Sequence, residues 1–181
     1  MRKSIVAISV AFALIIGLTA TGALAAPPVE SASGHGSLAT TDPDGKARKR
    51  QFTFNAQRHA DGTVTGHAVL INPAFTGENE HAPYQLHVDI SCMDVVGNIA
   101  IMGGTTRRTN DPNLVDAVFF TVQDNGEGRD AVARDMISRV FFWDDDPDTT
   151  GDPQACLLTA PGAFPLEPIE NGNIQVWPTG F

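Results

Sequence analysis

The chain has 181 residues, with 12 Lys and Arg against 21 Asp and Glu and a formal net charge of −9. That balance excludes the clustered positive charge on which nucleic-acid and anionic-membrane binding depend. The one dense basic run, Lys46 to Arg50 (KARKR), reads as a solvated strand end beside a turn at Pro43 to Gly45.

Met1-Arg2-Lys3, an uncharged run from Ile5 to Leu18 and Ala23-Leu24-Ala25 ahead of Ala26 together compose a secretory signal peptide over residues 1–25. The apolar run is short beside the about 20 residues that a membrane span needs. Cleavage after Ala25 removes Arg2 and Lys3, takes the formal charge from −9 to −11, and leaves enough chain for one domain with a real core. The expected product is secreted, extracellular or periplasmic, with no membrane attachment after cleavage. In such a compartment the two cysteines, Cys92 and Cys156, are expected to form one disulfide. It closes a loop of about 65 residues and contributes roughly 4 kcal/mol on a chain-entropy model.

Taken in order, residues 26–36 (APPVESASGHG) are rich in Pro, Ser and Gly and are expected to form a flexible leader, with the single β-domain over 37–181. A short strand, Ser37 to Thr41, turns into the strongest hairpin signal of the chain, Gln51 to Ile71, where two strand-like runs flank Asp61-Gly62. A two-residue turn there sets Phe52 against Ile71, Phe54 against Val69, Ala56 against His67 and Arg58 against Thr65 on one mostly apolar face. His67 then stands as a polar residue on an apolar surface. Asn72 to Pro83 is a loop by composition.

Tyr84, Leu86, Val88, Ile90 and Cys92 alternate with polar residues, and Gly97-Asn98 offers a turn into a strand Ile99 to Arg107. That turn pairs Val96 with Ile99, Asp94 with Ile101 and Cys92 with Gly103. Met93, Val95, Ala100 and Met102 fall on the opposite face, which requires either cover on both sides of the sheet or a bulge; the sequence leaves both open. Thr105 to Asn113 reads as a polar loop, Leu114 to Asp124 as a strand with Val118, Phe120 and Val122 in phase, and Met136 to Asp144 as another. The last strand runs through Ile174 to Trp177, after Asn171-Gly172. Roughly seven to nine short strands with frequent turn signals predict an all-β fold. It is either a single antiparallel β-barrel of lipocalin-like meander topology or a β-sandwich.

Several segments, SGHG (Ser33 to Gly36), ADGTVTGH (Ala60 to His67), CMDVVGNIAIMGG (Cys92 to Gly104), DNGEG (Asp124 to Gly128) and GNIQVW (Gly172 to Trp177), occur in an order that resembles a group of uncharacterised secreted bacterial β-proteins related to post-COAP domains. The resemblance spans most of the mature chain and implies a secreted β-domain, found alone or attached to larger extracellular proteins, with no catalytic residues to carry over. Trp177 stands where that group is expected to have a His.

Histidine with a carboxylate can hold a metal or transfer protons, but the predicted register separates His59, His67 and His87, and no HExxH, GxSxG or free cysteine nucleophile occurs. Asp144, Asp146 and Asp148 alternate as at the start of an oxygen-ligand calcium loop. Thr149 at the sixth position and the lack of a Glu at the twelfth depart from that pattern, so calcium is left open as a cofactor and none is required. The favoured function is a non-catalytic binding or structural module, with no catalytic residue assigned. Its expected site is the barrel mouth, where His67, Arg58 and Thr65 hold the polar head of a small amphipathic ligand whose apolar part lies near Phe52, Phe54 and Val69. The alternatives are a small barrel isomerase or hydrolase using His67 and a carboxylate, and a secreted inhibitor that presents Asn72 to Pro83 or Thr105 to Asn113 to another extracellular protein.

Overall fold

The computed structural model describes residues 28–42, 44–74, 84–110, 117–127, 133–142 and 151–179. The strands are β1 (Glu30–Thr41), β2 (Ala47–Arg58), β3 (Val64–Asn72), β4 (Tyr84–Val96), β5 (Ile99–Thr109), β6 (Ala117–Gln123), β7 (Met136–Ser138), β8 (Phe141–Phe142), β9 (Leu166–Pro168) and β10 (Asn171–Trp177). A 3₁₀ helix, Pro153–Leu158, lies between β8 and β9. The fold is all-β: every ladder is antiparallel, in one sheet of order β10-β1-β2-β3-β4-β5-β6-β7-β9, with β8 also on β6.

Among the described residues the ladder ends at β10 on one side and at β9 on the other, so the sheet is not a closed barrel. The sheet curls far enough for β2 to meet β6, where Phe54 and Phe120 pack edge to face with ring centroids 5.6 Å apart. Tyr84 of β4 likewise meets Phe142 of β8 at 6.3 Å. Period-two alternation drives the curl, because the inward residues of almost every strand share one buried cluster that includes Ala32, Phe52, Phe54, Leu70, Leu86, Val88, Met102, Val122, Ile137 and Ile174.

At the open seam, carboxylates take the place of a partner strand. The Ile174 N–H donates to Asp135 Oδ2 at 2.8 Å, and the Val176 N–H donates to Asp124 Oδ2 at 3.1 Å. Asp135 is only 6% exposed, and its other oxygen accepts the Asn125 N–H at 2.9 Å. Glu127 Oε1 accepts from Asn173 Nδ2 at 2.9 Å and Gln175 Nε2 at 2.7 Å. Asp124 to Glu127, the described part of DNGEG, is therefore a rim turn, with Gly126 at φ 87° and its acidic side chains bonded to β10.

The structure corrects the expected leader, because β1 begins at Glu30 and pairs with both β2 and β10. Small residues there serve packing: a Cβ on Gly34 would stand 2.8 Å from the Phe54 ring, and one on Gly36 would stand 2.9 Å from that of Phe52. The hairpin register is also corrected. His59 and Thr63 pair across a three-residue loop, with His59 N to Thr63 O at 2.8 Å and Gly62 N to His59 O at 2.9 Å. Gly62 adopts φ 86°, which suits the left-handed position of such a loop. One extra loop residue slips the ladder by one, so Phe52 faces Leu70, Phe54 faces Ala68 and Ala56 faces Gly66, and every β3 side chain changes sides.

The second hairpin has the expected register, with Val96 opposite Ile99, Asp94 opposite Ile101 and Cys92 opposite Gly103. Both solutions to its mixed pattern are present together. A register shift between Ile90 and Cys92 turns Met93 into the main core, while Cys92 and Ile101 are covered from outside by Ala155 and Cys156 of the 3₁₀ helix, with Phe119. Strand β5 continues to Thr109, so Thr105 to Thr109 is sheet rather than loop. Residues 1–27, the rest of the Asn72 to Pro83 loop beyond Ala74, and 111–116 lie outside the described residues.

Cys92 and Cys156 are bridged, with Cα atoms 6.1 Å apart and a sequence separation of 64. Replacing both by Ser should lower the unfolding free energy by about 2–5 kcal/mol in denaturant titration, and the denatured, unreduced wild type should release no thiol. Asp135→Ala should cost about 1–3 kcal/mol, because it leaves the Ile174 N–H buried without an acceptor. A variant as stable as wild type would remove the seam from the account of closure.

Candidate functional site

The interior was the expected ligand site, and among the described residues it is closely packed. Strand β2 sends Arg50, Phe52, Phe54, Ala56 and Arg58 inward, so a stack of apolar side chains is bracketed by two cations. Arg50, 6% exposed, forms an ion pair with Glu167 and donates through Nη2 to the Ser138 carbonyl at 2.7 Å. Arg139 reaches the same Glu167 at 3.3 Å. Arg58 forms an ion pair with Glu30 at 2.7 Å and donates to the Met93 carbonyl. Beside Arg50, burial pushes the Tyr84 hydroxyl above its ordinary pKa. The interior cavity that Arg50, Phe52, Tyr84 and Val140 line is about 10 Å³, room for one water and no more.

The residues expected to meet at a barrel mouth are thus separated. Arg58 points inward and is held by Glu30, whereas Thr65 and His67 belong to the exposed outer face of β3. Thr65 Oγ1 lies 2.8 Å from His59 Nε2, and His67 stands opposite Asn55 on one side and Asp89 on the other. The one-residue register slip is the physical reason. Asp144, Asp146 and Asp148 lie outside the described residues; Asp152, the last acid of that run, caps the 3₁₀ helix by accepting the Gln154 N–H at 2.8 Å. Among the described residues, no group of three or more His, Cys, Asp or Glu side chains is arranged to hold a metal ion.

What the slip creates is a polar surface on the outside of β10, β1, β2 and β3. One cross-strand row reads Asn173, His35, Thr53, Val69, and the next reads Gln175, Ser33, Asn55, His67. A shallow depression of about 400 Å³ lies over these rows, with the β10 amides on one side and His67 on the other. A second, of about 540 Å³, continues from His35 and Thr53 towards Lys49, Val69 and Ile71. The two share His35 and Thr53 and so form one groove that runs along the strands. At its β10 side the amides of Asn173 and Gln175 are held by Glu127, leaving their carbonyl oxygens as acceptors. Beyond Gln175 on the same face stands Trp177, 57% exposed.

Sequence reasoning missed this surface because it placed His67 inward and took SGHG as part of a flexible leader; the signal present was the run of polar residues at odd positions of β1, β2 and β10. No family model matches the chain, and comparisons with curated proteins and with solved structures give no match.

The amide hydrogen bonds from Asn173 and then Gln175 hold the Glu127 carboxyl below the usual glutamate range. A depressed folded-state value contributes stability that is present above the unfolded-state value, about 4.3, and is lost as the pH falls through the folded one. The difference in Tm between wild type and Glu127→Gln should therefore be constant above about pH 5 and shrink below about pH 4. A difference that persists unchanged to the acid limit of folding contradicts the Glu127 clamp.

Proposed function

We propose that the mature chain is a secreted, non-catalytic binding module, and that it engages its partner with the outside of the curled sheet. The observation that carries this reading is the contrast between the two surfaces of β2. Its inner side is packed from Arg50 to Arg58, while its outer side forms the middle of a groove that no described residue covers. Secretion, which rests on the N-terminal sequence, agrees with the bridged Cys92 and Cys156. Strands β1 and β2 have neighbours on both edges, which leaves side chains rather than backbone to make the contacts.

The test is saturable co-sedimentation of the mature chain with insoluble cell-envelope material and with immobilised secreted proteins from the same source. Binding to at least one is expected, and Asn55→Arg, a change at an exposed position in the groove, should weaken it about tenfold or more while leaving Tm within about 1 °C. Binding that survives Asn55→Arg, or its absence from every fraction, overturns the reading.

A further inference from the structure

We infer that the occupant of the outer groove is an uncharged oligosaccharide, an inference that rests on the groove being the binding surface. The first argument is charge. The chain carries a net −9, yet the side chains that line the two halves of the groove include no carboxylate, Glu127 and Asp89 standing only at its margins, and its one permanent cation is Lys49 at the far end. A polyanion would need several cations in register, and a polycation would need carboxylates. What the surface offers instead is hydroxyl, amide and imidazole hydrogen-bonding groups over the half beside β10, and the apolar side chains of Val69 and Ile71 in the other half.

The second argument is backbone access. An extended peptide is gripped best by adding to a sheet edge, but the strands under the groove are internal, and the β10 edge is occupied by Asp124 and Asp135. A ligand on this face can be held only through side chains, which suits a chain bearing its own hydroxyls. The third argument is rigidity. Glu127 fixes the amides of Asn173 and Gln175 through one oxygen, so two acceptors are set in place before any ligand arrives. Two residues beyond, the exposed indole of Trp177 supplies a flat apolar face for the C–H bonds of a sugar ring, with a polar N–H at its edge. From Ser33 to Ser37 the groove follows the strands for about 13 Å at 3.3 Å per residue, long enough for an oligomer rather than a single ring.

The probe is affinity electrophoresis of the mature chain through gels containing soluble neutral polysaccharides (a β-glucan, a xylan, a galactomannan, hydroxyethyl cellulose) or alginate as the anionic control, with pull-down on chitin. Retardation by at least one neutral polymer is expected, unchanged in 0.5 M NaCl, and weakened about tenfold or more by Trp177→Ala and by Asn55→Ala. Both positions are exposed, and near-ultraviolet circular dichroism and Tm checks on each variant keep loss of folding separate from loss of binding. Retardation by alginate alone, neutral retardation unaffected by both variants, or no retardation by any polymer overturns the inference. The module reading fails separately. If envelope binding depends on Asn55 but survives periodate oxidation of the envelope glycans, the groove binds something other than sugar and only this inference falls.

Discussion

A meander that curls upon itself brings its first and last edges together, and the backbone groups there must find partners or stay wet. In this protein β10 meets carboxylates: Asp135 and Asp124 accept the N–H groups of Ile174 and Val176, and Glu127 holds the side chains of Asn173 and Gln175. Charged acceptors make stronger bonds to N–H groups than carbonyls do. Their reach is adjustable, so the edges need not be parallel or in register. The same oxygens blunt a strand edge that would otherwise be a template for another chain.

The seam also determines what the two faces of the sheet can do. Because the curl brings β10 up to β6, the inner face packs around its aromatic rings, and among the described residues the cavity beside Arg50 and Tyr84 has room for one water. The outer face is divided. Over β4, β5 and β6 it is covered by the segment carrying Cys156, with Phe141 and Phe164 stacked at 4.0 Å as part of that second cluster. Over β10, β1, β2 and β3 no described residue covers it. The bulge before Cys92 links these arrangements, since it lets one strand feed Met93 to the main core and Cys92 to the outer cluster.

Much of this was legible where local chemistry decides the outcome. The Tyr84 to Ile90 alternation, the Gly97-Asn98 turn and the phase of Val118, Phe120 and Val122 were readable because each depends on neighbours in sequence, and the disulfide because only two cysteines exist. The first hairpin was not, since Asp61-Gly62 suits a two-residue turn and a three-residue loop alike. Composition does not arbitrate either: Val69 and Ile71 on one side of β3 are as apolar as Ala68 and Leu70 on the other. The bridging role of DNGEG left no local trace, as Asp124 meets Val176 across a sequence separation of 52. Arg50 was hidden in a basic run whose other members are exposed, and its partners lie on β7 and β9. The candidate site depended on all of these at once, and that is why it was the least readable part.

The pairing of β1 with β10 has a mechanical consequence. Ser31 stands opposite Trp177, and just beyond them Thr179 Oγ1 donates to Glu30 Oε1 at 2.6 Å, so the two ends of the described fold leave from the same rim. A load applied between those ends would open the β1–β10 ladder bond by bond, as a zip opens, instead of stressing all its hydrogen bonds together as shear does. The Cys92–Cys156 bridge, which encloses β5 to β8, would take none of that load at the outset. The architecture suits a unit hung from one attachment point, or inserted as a side loop in a longer chain, better than one placed in line to bear tension.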